Sequence, residues 1–364
     1  MTDRIRLGVI GANAQRGWAK VAHFPGLPYL SEYELAAVCT SKQESAAIAA
    51  KHFGARLAFH DYRELVSSSE IDAVVVSVNV PSHYAITMAA LEAGKHVLTE
   101  WPLGANLVET KELSARAERL GVVTMVGLQG RAGPANLYLK DLIKKGYIGK
   151  PLSSVIYRIT EIQYWEEWNS WYLDGSKGGN VLTIAAGHTL DTLAFILGEF
   201  RELSAYSEVQ EKSIRLKDSD REVEATSPDH VMVQGVLENG SLASVFVGSS
   251  PGFVTGGRLE VYGTEGTLIA TSPESLHRGV VTVEYARKGE SLNVMEIPSE
   301  YRWVPDEIPE GAPLNVAQLY RQFSHAISNG ETVSPNFEDA AKRYRLLEAV
   351  VQASRSGERI PFSN

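Results

Sequence analysis

The chain reads as an α/β protein. An N-terminal doubly wound parallel sheet is followed by an α+β domain with a large, antiparallel-rich open sheet. Three observations predict this. From Leu7 to Leu128, short apolar runs alternate with helical patterns at the lengths of strand–helix–strand units. The first of these runs ends abruptly at Gly11, with Gly17 close behind, as a tight turn at the head of a sheet requires. After Arg131 the pattern becomes strand-like segments joined by turns such as Asn239-Gly240 and Thr264-Glu265-Gly266, which are hairpin signals.

Taken in order, residues 7–10 form a strand that must be buried, and a helix-compatible run leads from Trp18 through Ala22. Residues 34–39 are a second strand, 43–52 a helix, 55–59 a third strand and 62–67 a helical turn. The nearly unbroken apolar run 73–78 suits a parallel strand covered on both faces. Residues 82–93 are helical and stop at Gly94, a C-capping glycine. A strand at 96–99, a helix at 107–120 and a strand at 122–127 complete the alternation. Sheets of this kind bind ligands beyond the carboxyl ends of their strands, where the loops carrying Gly11, Thr40, Asn79 and Glu100 converge.

The second half opens with an amphipathic helix at 136–145 that ends on Gly146. Strands are expected at 153–160, 203–208, 230–237, 241–248, 258–262, 267–270 and 280–286. A helix at 181–197 interrupts them and carries His188 and Asp191. The charged stretch 212–224 reads as a solvated loop or edge. Helices at 316–328 and 337–354 close the chain, the second capped by Asn336, with Glu338 and Asp339 in its first turn and Gly357 as its stop. The expected division is a dinucleotide-binding domain over 1–129 and a substrate-binding and oligomerisation domain over 130–364.

Bulk properties narrow the function. A chain of 364 residues favours two domains, and 44% hydrophobic with 22% charged residues is a globular composition. A net charge of −9 and a pI near 5.6 argue against a nucleic-acid surface or an anionic membrane. The single cysteine, Cys39, forms no internal disulfide, suits a reducing compartment and reads as an inert buried thiol. No signal-peptide pattern and no apolar run of about 18 residues occur, so no membrane span is expected and the cytoplasm is the expected location. The nine histidines are scattered, so no metal site is expected. Neither a nucleophile elbow nor a P-loop is present.

The turn after the first strand suits a dinucleotide pyrophosphate, because backbone N–H groups opening a helix point at the phosphates. Gly11, Ala12, Asn13, Arg16, Gly17 and Trp18 are the candidates there. Asn13 stands in the second glycine's place, where its tolerance of left-handed backbone would preserve the turn. The second strand ends in Thr40, Ser41 and Lys42 instead of the carboxylate usual for NAD. That favours NADP or dual use, unless Lys42 is only the surface start of a helix.

The segment Gly94-Lys95-His96-Val97-Leu98-Thr99-Glu100-Trp101-Pro102-Leu103-Gly104, with His23, His83 and the stretch from Gly178-Gly179 to His188 and Asp191, resembles the glucose–fructose oxidoreductase, inositol dehydrogenase and MocA family. The resemblance covers essentially the whole chain. It implies a Rossmann domain holding NAD or NADP, with Val78, Asn79, His83, Glu100, Trp101 and Gln129 among the cofactor contacts. It also implies a small carbohydrate substrate and a homodimer or homotetramer that covers the open sheet. Two positions depart from the family: Trp101 replaces its lysine, and Ile184 replaces the aspartate four residues before the histidine. His188 is then the candidate base, Asp191 its orienting or substrate-binding partner and Glu100 a further catalytic candidate. The alternative for His188 is a helix histidine satisfied by backbone. Glu100-Trp101, the loop 13–18, Val76-Ser77-Val78, Leu128-Gln129-Gly130-Arg131 and Ser227-Pro228-Asp229-His230 resemble the branch of the yeast galactose-regulon repressor and its bacterial relatives. That branch brings in a cofactor-binding regulator without catalysis.

Upstream of His188 lies an aromatic run with Tyr164, Trp165, Trp168 and Tyr172. Such rings stack on sugar faces, although the same spacing suits a packed helical turn or an oligomer contact. Arg131 could hold an anionic substituent bidentately, or lie at the surface as an ordinary arginine. Three readings follow: an NAD(P)-dependent sugar or polyol dehydrogenase, a redox-neutral NAD-dependent glycosidase acting on a glycoside that could be anionic, and the regulator. The glycosidase needs extra acid–base groups, for which Glu166, Glu167, Asp174, Tyr164 or Tyr172 are available.

Overall fold

A computed structural model describes residues 4–161, 165–250, 252 and 254–362. Packing divides the chain into two units. One comprises residues 1–129 with 303–341, the other 130–302 with 342–364. The sequence reading placed 303–341 in the C-terminal domain. The difference arises because the helix within it lies on the first unit, where its Ala317 comes against Gly26.

The first unit is built on β1 (Ile5–Ile10), β2 (Tyr33–Cys39), α1 (Gln43–Phe53), β3 (Leu57–Phe59), α2 (Tyr62–Ser67), β4 (Ala73–Val76), α3 (His83–Glu92), β5 (His96–Glu100), α4 (Leu107–Leu120) and β6 (Thr124–Gly127). The strands form one parallel sheet in the order β3-β2-β1-β4-β5-β6. All four residues of β4 are buried, as its unbroken apolar run requires of a strand covered on both faces. Helix boundaries follow local chemistry. Asn106 accepts from the N–H of Glu109 to start α4, and Gly121 ends it in the left-handed region.

The helix-compatible run expected from Trp18 through Ala22 forms a wide helical turn over Ala19–His23.

In the second unit, α5 (Pro134–Lys144) leads to β7 (Pro151–Glu161), then α6 (Gly187–Leu197), which continues from a wide helical segment over Val181–Ala186. Beyond it come β8 (Phe200–Glu208), β9 (Ser213–Arg215), β10 (Glu222–Glu224), β11 (His230–Leu237), β12 (Leu242–Ser250), β13 (Gly256–Gly263), β14 (Gly266–Ser272), β15 (Thr282–Arg287) and β16 (Asn293–Met295). Helix α7 (Ala312–Asn329) belongs to the first unit, whereas α8 (Phe337–Ser356) and β17 (Ile360–Pro361) bring the chain back to the second. The charged stretch 212–224, read as a loop or edge, folds as the β9–β10 hairpin with Ile214 opposite Val223.

The large sheet has nine strands in the order β16-β15-β14-β13-β7-β12-β11-β8-β17 and is antiparallel except between β7 and β12. Its inner face carries Val231, Val233, Ala243, Val245, Val247, Leu259 and Val261, all buried. No helix among the described residues is long and apolar enough to cross a membrane. Among the described residues no group of His, Cys, Asp or Glu is arranged to hold a metal ion.

Candidate functional site

Two clusters of functional side chains emerge, one in each unit. In the first unit the chain leaves β1 at Gly11, whose φ of +95° is strained for any residue with a side chain. A Cβ there would sit 1.9 Å from the carbonyl oxygen of Ser77, so only glycine allows the two loops to meet. Asn13 does not adopt left-handed backbone, contrary to expectation; Asp220 is the non-glycine residue with positive φ among those described. Asn13 Oδ1 instead accepts from the N–H groups of Gln15 at 2.8 Å and Arg16 at 3.2 Å, closing the turn from within. Ala12 is buried beneath this loop, Trp18 is half-buried, and Arg16 and Gly17 are exposed on it.

At the end of β2 the hydroxyl of Thr40 is engaged locally. It lies 2.7 Å from Ser45 Oγ and donates to the Lys42 carbonyl at 3.0 Å. Ser41 and Lys42 are exposed. Beyond β4, the exposed Asn79 accepts from Ser82, while His83 is buried between the carbonyl oxygens of Pro102, 2.6 Å away, and Val78, 3.0 Å away. Burial depresses its pKa. His83 thus braces the loops after β4 and β5 to each other.

Glu100 is buried at the end of β5, and Gly127 lies so close that a Cβ there would meet its carboxylate at 2.5 Å. His23 Nε2 lies 2.9 Å from Glu100 Oε1, and His23 Nδ1 lies 2.8 Å from the hydroxyl of Tyr320 on α7. Burial keeps Tyr320 a phenol, so a neutral hydroxyl stands at the α7 end of this buried chain of contacts. The expected catalytic carboxylate is therefore the end of a buried chain of hydrogen bonds. Trp101, in the family lysine's place, is buried.

These residues fit a dinucleotide. Besides the glycine cradle, Ser77 Oγ and Gln129 Oε1 are buried with no hydrogen-bond partner among the described residues. Buried polar atoms of this kind call for a ligand able to satisfy them.

The second cluster is built on α6 and the sheet beneath it. His188 is buried and its ring stacks on that of His277, with centroids 4.2 Å apart and planes 3° from parallel. Neither ring nitrogen of His188 has a hydrogen-bond partner among the described residues, so backbone does not satisfy it. Burial, then the nearby Arg158, pulls its pKa down to about 3, and the imidazole is neutral at physiological pH. His277 is displaced the same way by burial and by His188. Gly130 permits this stack: a Cβ there would meet His277 Cβ at 3.0 Å.

Asp191 does not orient His188 through a hydrogen bond. Its carboxylate is taken by two guanidiniums: Arg131 Nε at 3.0 Å and Nη2 at 2.8 Å, and Arg343 Nε at 3.1 Å. Burial would push this carboxyl up, but the two arginines outweigh it and hold it below the ordinary range. Arg343 also donates to Glu199 at 3.1 and 3.2 Å, and Lys342 approaches Glu199 at 3.3 Å. Arg131, a candidate for an anionic substituent, is thus occupied within the fold.

Of the aromatic run, Trp165 and Tyr172 come together with ring centroids 5.3 Å apart. They line a cavity of about 300 Å³ with Leu173, Ser227, Asp229 and Ser249. Trp165 also packs on the small core of Leu173, Ile214, Leu216 and Ala225. Trp168 is exposed, its Nε1 donating to Glu166 at 2.8 Å, and Tyr164 lies outside the described residues. Glu167 is bound by Arg221 and Ser219, which bring its pKa down to about 2, and Asp174 caps the turn at Ser176. The acids proposed for a glycosidase are therefore engaged in local structure.

Residues missed from the sequence are Arg158, His277, Glu199 and Arg343. Each is a single polar residue in an otherwise ordinary strand, loop or helix, with no spacing to mark it.

Comparison with known proteins adds the following. Residues 5–128 match a family model described as an oxidoreductase family with an NAD-binding Rossmann fold, GFO_IDH_MocA. Residues 134–272 match that of the Gal80p C-terminal domain. The chain is similar to the dehydrogenase aclE of Aspergillus oryzae, 28% identical over 98% of both chains. It is similar to the galactose/lactose metabolism regulatory protein GAL80 of Saccharomyces cerevisiae, 30% identical over 72% of this chain and 66% of that one. A crystal structure of a super-repressor mutant of Gal80p from the same yeast superposes with a TM-score of 0.87 at 26% identity, covering 100% of this chain and 99% of that one. The 1,5-anhydro-D-fructose reductase of Ensifer adhaerens is 27% identical over 97% of both chains.

Proposed function

Because the chain belongs to the Gfo/Idh/MocA oxidoreductase family, with a Gal80p-type C-terminal domain, we propose that it is an NAD(P)-dependent oxidoreductase acting on a hydroxyl of a sugar or sugar derivative by hydride transfer. The N-terminal unit is an NAD-binding Rossmann domain, and a bound nicotinamide supplies the acceptor for the hydride. The observation that carries the reading is His188: a buried, neutral imidazole whose two nitrogens have no hydrogen-bond partner among the described residues. One nitrogen accepts the hydroxyl proton as the carbinol carbon is oxidised, and the stack on His277 fixes the plane of the ring. Trp165 and Tyr172 offer ring faces for the apolar side of a sugar. Relatives named as a dehydrogenase and as a reductase of a sugar derivative support an enzyme.

At the cofactor end, Lys42 is the exposed cation available for a 2′-phosphate, so Lys42→Ala is expected to weaken NADP binding more than NAD binding, read by titration calorimetry.

The test is incubation with NAD⁺ or NADP⁺ and a panel of sugars, polyols and glycosides, following reduced cofactor and aglycone together. Reduced cofactor is expected to accumulate. Aglycone release without net reduction would replace this reading with the redox-neutral glycosidase. Cofactor binding with neither reaction would leave the regulator. His188→Ala is expected to lower kcat by about 10²–10⁴-fold, the range for loss of a general base, and unimpaired turnover would remove the assignment.

A further inference from the structure

Three arginines of the C-terminal unit have their guanidiniums wholly or largely within the protein, and they are treated differently. Arg131 and Arg343 are each matched by carboxylates at salt-bridge distance. Arg158 is not. It lies on the inner face of β7, between Val247 of β12 and Gly257 of β13, and is 8% exposed. Among the described residues its hydrogen bond is a long one, from Nη1 to the carbonyl of Ala185 at 3.4 Å, and its Nε is buried with no partner. The charged groups around it are Arg278 and Glu274, which pair with each other at 2.7 Å, and its other titratable neighbours are Tyr172, His188 and His277.

A buried cation without a counter-ion is unfavourable unless an anion arrives to match it. The space beside Arg158 is suited to receive one. A void of about 10 Å³ is lined by Arg158, Thr189, Thr192, Ser275 and His277, close to the room that one oxygen atom needs. Ser275 Oγ, like Arg158 Nε, is buried with no hydrogen-bond partner. The two residues that carry these orphaned donors, Arg158 and Ser275, thus both line one oxygen-sized space, together with His277 of the imidazole pair. The charge favours an anion. The small space favours a planar carboxylate, which inserts one oxygen, over a sulfonate or phosphate, which brings three.

We infer that Arg158 and Ser275 form a carboxylate receptor, and that the sugar handled by the C-terminal unit is an acid, a uronate or aldonate. This rests on the reading of that unit as a sugar site. It also gives the substrate a part in tuning His188. A bound carboxylate offsets the Arg158 charge that disfavours a protonated imidazole, so His188 becomes a stronger base when the acid is present.

The test measures binding and turnover separately. Calorimetric titration of the full chain with glucuronate, galacturonate and gluconate is compared with glucose, galactose and sugar 6-phosphates and 6-sulfonates. At least tenfold tighter binding of carboxylates than of their neutral parents is expected. Arg158→Met is expected to collapse that ratio towards one with Tm unchanged or raised, because a buried unmatched charge is removed, while Arg158→Lys retains part of it. Equal binding of neutral and acidic sugars, preference for the phosphate or sulfonate, or a ratio that survives Arg158→Met would overturn the inference. If Arg158→Met does not fold, the wild-type ratio and Arg158→Lys still decide it. Turnover with NAD(P)⁺ is scored apart. Carboxylate-selective binding without any sugar oxidation sinks the dehydrogenase reading alone, and oxidation of neutral sugars without acid preference sinks the receptor alone.

Discussion

Asp191 illustrates how a residue can be found for one reason and turn out to serve another. Its spacing from His188 suggested a catalytic pair, whereas its carboxylate holds two buried guanidiniums. Asp191→Asn should strand them, and breaking a buried ion pair from one side costs about 3–5 kcal/mol, measurable by urea unfolding. The histidines make a second prediction. Unfolded imidazoles take up protons below about pH 6.5, but burial lowers the pKa of His83 in the native chain and holds His188 and His277 neutral well below that pH. The unfolded state therefore binds more protons, and stability should fall as pH drops from 6.5 toward the value of about 3 reached by His188. Each such histidine contributes a slope of about 1.4 kcal/mol per pH unit inside its window, and His188→Gln should flatten the Tm profile by one proton's worth. His188 itself was legible in the sequence from its motif. Arg158 was not, because nothing local distinguishes an inward-facing arginine of a strand from an outward-facing one until the neighbouring strands set the register.

Among the elements, the glycine turn after β1 makes the sharpest prediction. Gly11→Ala adds a Cβ 1.9 Å from the Ser77 carbonyl at a left-handed position and should abolish dinucleotide binding while lowering Tm. Gly17→Ala meets nothing within 4 Å and suffers only its backbone strain at φ +96°, roughly 1 kcal/mol, so it should retain binding. Parallel strands and capped helices were readable because apolar runs and stop signals are local: β4 and α4 fall where the residues put them. The β9–β10 hairpin was not, since its charged side chains hide the alternation of Ile214 and Val223, and the small core under it is assembled from Leu173 and Ala225 far apart in sequence.

For the molecule as a whole, the open face of the nine-stranded sheet carries Tyr206, Met232 and Phe246 side by side in register, with Met232 53% and Tyr206 67% exposed. We expect this face to be covered by a second copy of the chain, and Met232→Lys to shift the mass measured by light scattering toward the monomer. The two units also draw on discontinuous sequence, and the second is finished only by residues beyond 341, with Arg343 on α8 and β17 along the edge of β8. The consequence falls on synthesis. A nascent chain that has emerged as far as α7 presents a sheet with a bare edge and an Asp191 lacking one of its two guanidiniums, so this half matures only once α8 and β17 have followed. A copy cut short before α8 should be recovered in inclusion bodies or degraded, although every strand of the Rossmann sheet is still present in it.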